Sequence, residues 1–527
     1  MRRRAGILVP LFSIPSSRSW GIGEIGDIPV FAEWLRAAGQ RILQLLPINE
    51  MPPGERSPYS ALSAMAIDPQ FISLGQVEDF TALGGETRLE PDVRARLDRA
   101  RAARTVDYET VRELKQAGLR RSFARFAETE WHGGTAPFGE AQGAPSASRG
   151  ARAAALRQYI KDEAAWLDDY ALFRALKARY DERSWLEWPA PLRDRDPAAL
   201  AQARADLADD ILYRQYLQWL AQGQWKAARE TTRDVALFGD LPFMVSGDSA
   251  DVWARQDEFR LDASVGVPPD AFSKTGQDWG LPVYRWDVVA ERDFGWLRER
   301  ARRNAVLFDG YRVDHLVGFY RTYFRPHDGG KPQFTPSEEN AQTLLGERVL
   351  QVCREPGTEI IAEDLGVVPD FVRESLARLS IPGYKVLRWE RHWHDEGQPF
   401  RDPLDYPARS VATSGTHDTE TMAAWWEDAP ADEKKAVLAI PSVRARLSGD
   451  ARIHDALIET LVASGSDLLI LPIQDAFGWR DRINQPATIS ESNWTWRLPW
   501  PVDRMLSEQE AMTVAAQLKE WTAQYGR

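Results

Sequence analysis

The stretch Asp309-Gly310-Tyr311-Arg312-Val313-Asp314-His315-Leu316-Val317-Gly318-Phe319 reads as a short buried strand running into a loop. Tyr311 and Val313 suit a pleated, half-buried surface, and Arg312, Asp314 and His315 bring charge to the strand's end. Residues two apart lie on one side of an extended strand, so Arg312 and Asp314 share a face. A guanidinium there keeps the carboxylate ionised and aimed, and such a carboxylate can act as a nucleophile. Taken alone, the stretch is more simply a strand-end ion pair with no further role. The rest of the chain decides between the two readings.

Outward from it, seven further short apolar runs predict strands: 7–12, 42–46, 235–238, 359–362, 384–387, 410–412 and 468–471. Most lead into polar residues, as in Gly239-Asp240, Glu363-Asp364, His417-Asp418 and Gln474-Asp475. Helical patterns intervene. After the first run, Asp27 stands at an N-cap position, Pro29 in a first turn, and Ile28, Phe31, Ala32 and Leu35 repeat with a helical period up to Gly39. Residues 370–379, after Pro369, are another example. Eight strands alternating with helices predict an α/β fold, a (β/α)8 TIM barrel with a large helical insertion and active-site loop insertions. Active sites of that fold lie at the C-terminal ends of the strands. The expected organisation is 1–84 as the first part of the barrel, 85–232 as a mainly helical insertion, and 233–527 as the remainder with the catalytic residues. The insertion carries long helical periods such as Leu212, Tyr216, Trp219 and Leu220, and its stretch 132–150, dense in Gly, Ala, Ser and Pro, reads as a surface loop.

Composition bounds the function. The chain has 527 residues and a formal charge of −12 with no basic block, a poor match to nucleic acid or anionic membrane. No apolar segment is long enough to span a bilayer. The basic start, Arg2-Arg3-Arg4, precedes an apolar run broken by Pro10 and Pro15 with no small-residue cleavage site, which argues against a secretory leader. Cys353 is the one cysteine, so an intrachain disulfide is impossible; a cytoplasmic setting is expected, and among Val349, Leu350 and Val352 the thiol reads as buried and inert. The seven His are scattered without zinc spacing, and there is no Gly-rich phosphate loop, so no metal and no cofactor is expected. The 21 Trp hint at flat surfaces for sugar rings. The oligomeric state is not legible.

Three carboxylates stand out at strand ends: Asp314, Glu363 and Asp418. Asp314 and Glu363 would lie on adjacent barrel strands and Asp418 two strands further round. A close carboxylate pair serves retaining glycosidic chemistry, one attacking the anomeric carbon and the other, with a raised pKa, protonating the departing oxygen. Each also has a plainer reading: Glu363 as part of an acidic loop with Asp364, Asp418 as a helix N-cap before Thr419-Glu420-Thr421.

The set of motifs resembles the 4-α-glucanotransferases known as amylomaltase or disproportionating enzyme, in the α-amylase-like group of barrel enzymes. The resemblance rests on Ser57-Pro58-Tyr59, Gly239-Asp240-Leu241-Pro242, Asp248-Ser249-Ala250-Asp251-Val252-Trp253, Gly266 to Asp270 with Thr275 to Gly280, Arg312-Val313-Asp314-His315, Ala362 to Gly366 and Gly415-Thr416-His417-Asp418. It implies Asp314 as nucleophile, Glu363 as general acid and base, and Asp418 as the carboxylate that grips ring hydroxyls and stabilises the oxocarbenium-like state. It further implies Arg312 and His417 beside the scissile sugar, Tyr59 as a stacking platform, Trp279 as an acceptor-side wall, and Asp240, Asp270 and Gln277 as substrate contacts, with 266–280 as a loop overhanging the site. Ordinary packing is the plainer reading for Tyr59 and Trp279. The implied partners are an α-1,4-glucan donor and a glucose or maltooligosaccharide acceptor. The chain departs from the family's usual pattern at 13–20, at 324–347, at Arg388-Trp389-Glu390, and at Thr419-Glu420, where Asn-Asp or similar is usual. These positions bear on donor length and acceptor choice.

Transfer wins over hydrolysis only if the closed site is dry and the acceptor's 4-hydroxyl is positioned for attack; an overhanging loop with Trp279 would supply both. The competing readings are a hydrolytic α-glucanase of the same group and a non-catalytic glucan-binding barrel, the latter disfavoured because all three carboxylates are present.

Overall fold

The computed structural model describes residues 3–132, 150–269, 276–447, 452–486, 488 and 490–527. Twelve strands occur among them: β1 (Arg4–Leu8), β2 (Ile42–Gln44), β3 (Ala236–Leu241), β4 (Phe259–Val267), β5 (Gln277–Tyr284), β6 (Gly310–Val313), β7 (Thr322–Pro326), β8 (Gln333–Thr335), β9 (Glu359–Ala362), β10 (Gly383–Val386), β11 (Ser410–Thr413) and β12 (Leu468–Pro472). Eight of them close a parallel barrel in the order β1-β12-β11-β10-β9-β6-β3-β2. Every residue of β2, β6, β11 and β12 is buried. That is the signature of strands covered on both faces, and it explains why they read as continuous apolar runs rather than alternating ones.

All eight expected barrel strands are present, with one clear difference at the first. The run from Ile7 does not continue to Phe12: β1 ends at Leu8, and after Pro10 the residues Leu11–Ser13 form a single tight helical turn. Proline supplies no N–H to a ladder, so the strand stops before it. The expected first helix is Ile28–Ala37, and Gly39 follows at φ +71°, a left-handed conformation that favours glycine. Asp27 occupies the N-cap position but does not cap the helix with its side chain. Its carboxylate turns back to accept from Ser19 Oγ (2.6 Å) and from the Glu24 N–H (2.7 Å).

The remaining strands form a four-stranded antiparallel sheet in the order β5-β4-β7-β8 beside the barrel mouth. This corrects the reading of 266–280 as a loop: Gly266 and Val267 end β4, and Gln277 to Gly280 begin β5. The concentration of Gly and Pro there signals turns and masks the short strand segments on either side.

The stretch between β2 and β3 is helical, its longer helices being Pro91–Ala102, Tyr108–Phe126, Ala151–Asp162, Ala164–Arg179, Pro197–Asp206 and Ala208–Thr231. The sequence 133–149, expected as a surface loop, lies outside the described residues. The helices are tied to the barrel loops through buried polar bonds. Arg174 and Tyr170 hold Glu50, in the loop after β2. Lys177 holds Asp248, in the loop after β3, at 2.7 Å. Gln218 bonds both the N–H and the C=O of Ile67, at 2.9 and 2.8 Å. Lys115, 1% exposed, pairs with Glu24 at 2.6 Å. Removing one partner of such a buried pair costs about 3–5 kcal/mol, because the other charge stays behind without compensation. No described helix is long and apolar enough to cross a membrane.

Candidate active site at the carboxyl ends of the strands

Ladder register builds the site. In the β3–β6 pairing Asp240 stands opposite Arg312, and in β6–β9 Val313 stands opposite Ala362. The next residues of the chain, Asp314 and Glu363, leave the barrel together: the Asp314 N–H donates to the Leu241 carbonyl and the Glu363 N–H to the Val313 carbonyl, both at 3.0 Å. Three carboxylates from three neighbouring strands therefore meet one guanidinium.

Arg312 is buried at the centre. Its Nη1 donates to both oxygens of Asp240, at 2.9 and 2.7 Å. Its Nη2 lies 2.7 Å from Asp314 Oδ1 and 3.9 Å from Glu363 Oε2. Glu363 Oε2 also accepts the His315 N–H at 2.8 Å. His315 holds φ +40° to aim that N–H, a conformation costing a non-glycine residue on the order of 1–3 kcal/mol. The adjacent Asp364 is spent differently: it accepts the Tyr384 N–H at 2.7 Å and pairs with Arg373 at 3.2 Å. The acidic pair in the sequence thus divides into one carboxylate facing the site and one bracing β10.

Burial, reinforced by the charge of Asp314, pushes the Glu363 carboxyl up to about 8 against the pull of Arg312 and of the His315 N–H. Burial likewise raises Asp240 to about 6, though Arg312 opposes it. His315 is held down at about 4, chiefly by burial, and is neutral at pH 7. At neutral pH the site accordingly holds one protonated carboxyl beside a carboxylate paired with a cation, the combination that acid-assisted nucleophilic displacement requires.

Asp418 faces this cluster from the loop after β11. It is not a helix cap, since the following helix Met422–Asp428 begins at Thr421, whose own side chain accepts the Ala424 N–H. Burial works against its charge, but His417 at 3.3 Å, the Asn484 amide at 2.6 Å and Arg312 outweigh it and hold the carboxyl well below the usual range. Arg482 donates to the Asp418 carbonyl at 2.9 Å. Thr419 pins the turn, accepting the Thr416 N–H and donating to the Thr416 carbonyl, both at 3.0 Å. A Cβ at Gly415 would stand 2.3 Å from the Thr419 hydroxyl, so this close approach requires glycine. Arg388 donates to the Glu420 carboxylate at 3.0 Å and to its carbonyl at 2.8 Å.

Tyr59, from the loop after β2, stacks on His417 with ring centroids 5.4 Å apart. Its hydroxyl donates to Asp240 at 2.8 Å and lies 3.0 Å from His417 Nε2. With the hydroxyl proton given to Asp240, the network assigns the proton on Nε2 to His417 as donor to Tyr59 and Asp418. Trp494 closes on both rings at 5.8 Å. Trp279 meets His315 edge to face at 4.9 Å and donates its indole N–H to Gln277 Oε1 at 3.2 Å. Asp314, Glu363, Asp418, Tyr59, Asp240, Arg312 and His417 are thus brought together, and Trp279 and Gln277 line a cavity with His315 and Glu363; Asp270 lies outside the described residues. Asn484, Arg482, Trp494 and His315 complete the site without having been singled out for it. Asn484 and Arg482 sit in a loop whose sequence carries no signal, whereas Trp494 falls in an aromatic cluster, Trp494-Thr495-Trp496, that is visible in the chain.

A family model described as 4-alpha-glucanotransferase matches residues 9–503. The 4-alpha-glucanotransferase of Thermus thermophilus is 34% identical over 516 residues, covering 94% of this chain and 95% of the relative. The chloroplastic/amyloplastic 4-alpha-glucanotransferase of Solanum tuberosum is 33% identical over 557 residues, covering 100% and 87%. Among solved structures, the amylomaltase from Streptococcus agalactiae in complex with acarbose superposes with a TM-score of 0.81 at 27% identity, covering 100% of this chain and 99% of that one.

Proposed function

We propose a division of labour among these side chains for a chain that belongs to the 4-alpha-glucanotransferase family and transfers α-1,4-glucan segments from one sugar chain to another. In the first half-reaction an Asp314 oxygen bonds to the anomeric carbon. The C1–O4 bond breaks, its electron pair leaves on the oxygen, and Glu363 gives that oxygen a proton. The result is a glycosyl ester on Asp314, an ionised Glu363 and a free outgoing segment. In the second half-reaction the 4-hydroxyl of glucose or a maltooligosaccharide bonds to C1. Its proton passes to Glu363, the ester bond breaks, and Asp314 returns as a carboxylate. Two inversions retain the configuration.

The observation that carries this reading is the sharing of Arg312 Nη2 by Asp314 at 2.7 Å and Glu363 at 3.9 Å. One nitrogen bonded to Asp314 and within 4 Å of Glu363 suits the close carboxylate pair, about 5–5.5 Å apart, used for covalent retention, rather than the wider gap that admits a water. Arg312 also supplies the fixed positive charge on which these carboxylates converge, so the reading includes no metal and no cofactor. Asp418, ionised and held by His417 and Asn484, is suited to accept ring hydroxyls and to face the developing oxocarbenium charge. Tyr59, fixed by Asp240 and His417, supports a platform set in place before the sugar arrives. Trp279 and Gln277 suit the acceptor side, and Asp270 is retained as a substrate contact from the resemblance alone.

Transfer over hydrolysis follows if an acceptor against Trp279 displaces water and orients its 4-hydroxyl. The acarbose held by the Streptococcus agalactiae relative supports a glucan-shaped groove. A cytoplasmic setting, with donors derived from starch or glycogen and neither nucleic acid nor membrane as partner, fits a chain with one cysteine and a charge of −12. We infer that 85–232 is an insertion whose helices brace the loops after β2 and β3. The test is incubation with maltotriose. A ladder of longer maltooligosaccharides plus glucose is expected; shortening alone would identify a hydrolase.

A further inference from the structure

The β7–β8 hairpin opens onto the groove that holds Glu363. A cavity of about 270 Å3 runs from Glu363 and His315 past Trp279 to Arg321, Tyr323 and Phe334. The ladder sets Tyr323 opposite Phe334. Strand alternation puts Arg321 and Tyr323 on one face, while Thr322 and Phe324 are buried on the other. Tyr323 and Phe334 meet edge to face with centroids 5.2 Å apart, and the Arg321 guanidinium lies 4.5 Å from the centre of the Phe334 ring. All three are half-buried. Arg321 Nε is buried without a hydrogen-bond partner. A cation held partly out of water without acceptors is unfavourable until something supplies them. A sugar ring offers what this face lacks: hydroxyl oxygens for the guanidinium fork and an apolar face for the aromatic pair.

We propose that Arg321, Tyr323 and Phe334 form an outer acceptor subsite for a neutral α-1,4-linked glucose unit, one ring beyond the sugar lying between Trp279 and Glu363. The proposal rests on the transfer reading above and adds to it a preference for acceptors of two or more rings.

The experiment uses α-maltosyl fluoride as donor, because departing fluoride needs no acceptor subsite. Initial rates of fluoride release and of transfer product are read against glucose and against maltose in the full-length protein and in Phe334→Ala and Arg321→Met. The native protein is expected to favour maltose over glucose in acceptor kcat/KM. Each substitution is expected to shrink that ratio roughly 5- to 10-fold, the scale of one aromatic or cation–π contact. Arg321→Met leaves the aromatic pair intact and keeps the ratio readable if Phe334→Ala weakens the hairpin. An unchanged ratio in both variants, or a native protein indifferent to the second ring, overturns the subsite. Native protein that makes neither maltotriose from glucose nor maltotetraose from maltose overturns the transfer reading instead.

Discussion

Arg312 and Asp240 face each other across the β3–β6 ladder, and both oxygens of Asp240 are bonded to one nitrogen of the guanidinium, at 2.9 and 2.7 Å. That leaves Nη2 free to turn toward Asp314 and Glu363. Lysine has no such fork. Arg312→Lys is expected to fold but to lose about 10²- to 10³-fold in kcat on maltotriose, the scale of one preorganised donor. A loss smaller than threefold would remove Arg312 from the reaction.

Asp314→Ala and Glu363→Gln separate the two carboxylate roles. The first is expected to lower kcat/KM by about 10⁴-fold or more with any donor, since no ester forms. The second is expected to lower it by about 10²- to 10⁴-fold with maltotriose while sparing ester formation from α-maltosyl fluoride, whose leaving group needs no proton. Glucan binding by Glu363→Gln, followed calorimetrically, should persist. Equal losses with both donors would contradict the assignment of Glu363 as acid.

The pH profile of kcat/KM follows from two raised carboxyls. Glu363 must hold its proton, so the rate is expected to fall as pH rises through about 8. Asp240 must be ionised to hold Arg312, so the rate is expected to fall as pH drops through about 6. A Glu363 at its ordinary value of 4.5 would instead place the alkaline fall near pH 4.5. Asp240→Asn should remove the acid limb and leave the alkaline one.

Lys115 and Glu24 test the brace between the helices that follow β2 and the loop after β1. Both are buried and 2.6 Å apart, with Asp27 close by. Lys115→Met leaves Glu24 without its cation and is expected to cost about 3–5 kcal/mol, read as a lower midpoint in thermal and urea unfolding. An unchanged midpoint would mean that Glu24 finds another partner or takes up a proton.

Most of this fold was legible because barrel strands buried on both faces leave continuous apolar runs, as at 468–471, and because strand ends carry the chemistry. Arg312 and Asp314 could be paired from their spacing alone. Glu363 could not be told from Asp364 by any local rule: their separate fates depend on Tyr384 and Arg373 in one case and on Arg312 and His315 in the other. The antiparallel sheet was hidden by the glycines and prolines of 266–280, and the end of β1 by an apolar run that continues past Pro10. Asn484 reaches Asp418 across 66 residues of chain, and no spacing rule reports a contact between two loops.

The barrel closes by pairing its first strand with its last, Arg4 standing opposite Leu468. A nascent chain emerging at about 5–20 residues per second therefore carries one edge of β1 without its partner for roughly 20–90 s. During that time the helices that follow β2 can already form and pack locally. The closing ladder must wait for β12, so translation time sets a lower bound on how soon the barrel can close and leaves one strand edge open in the interval.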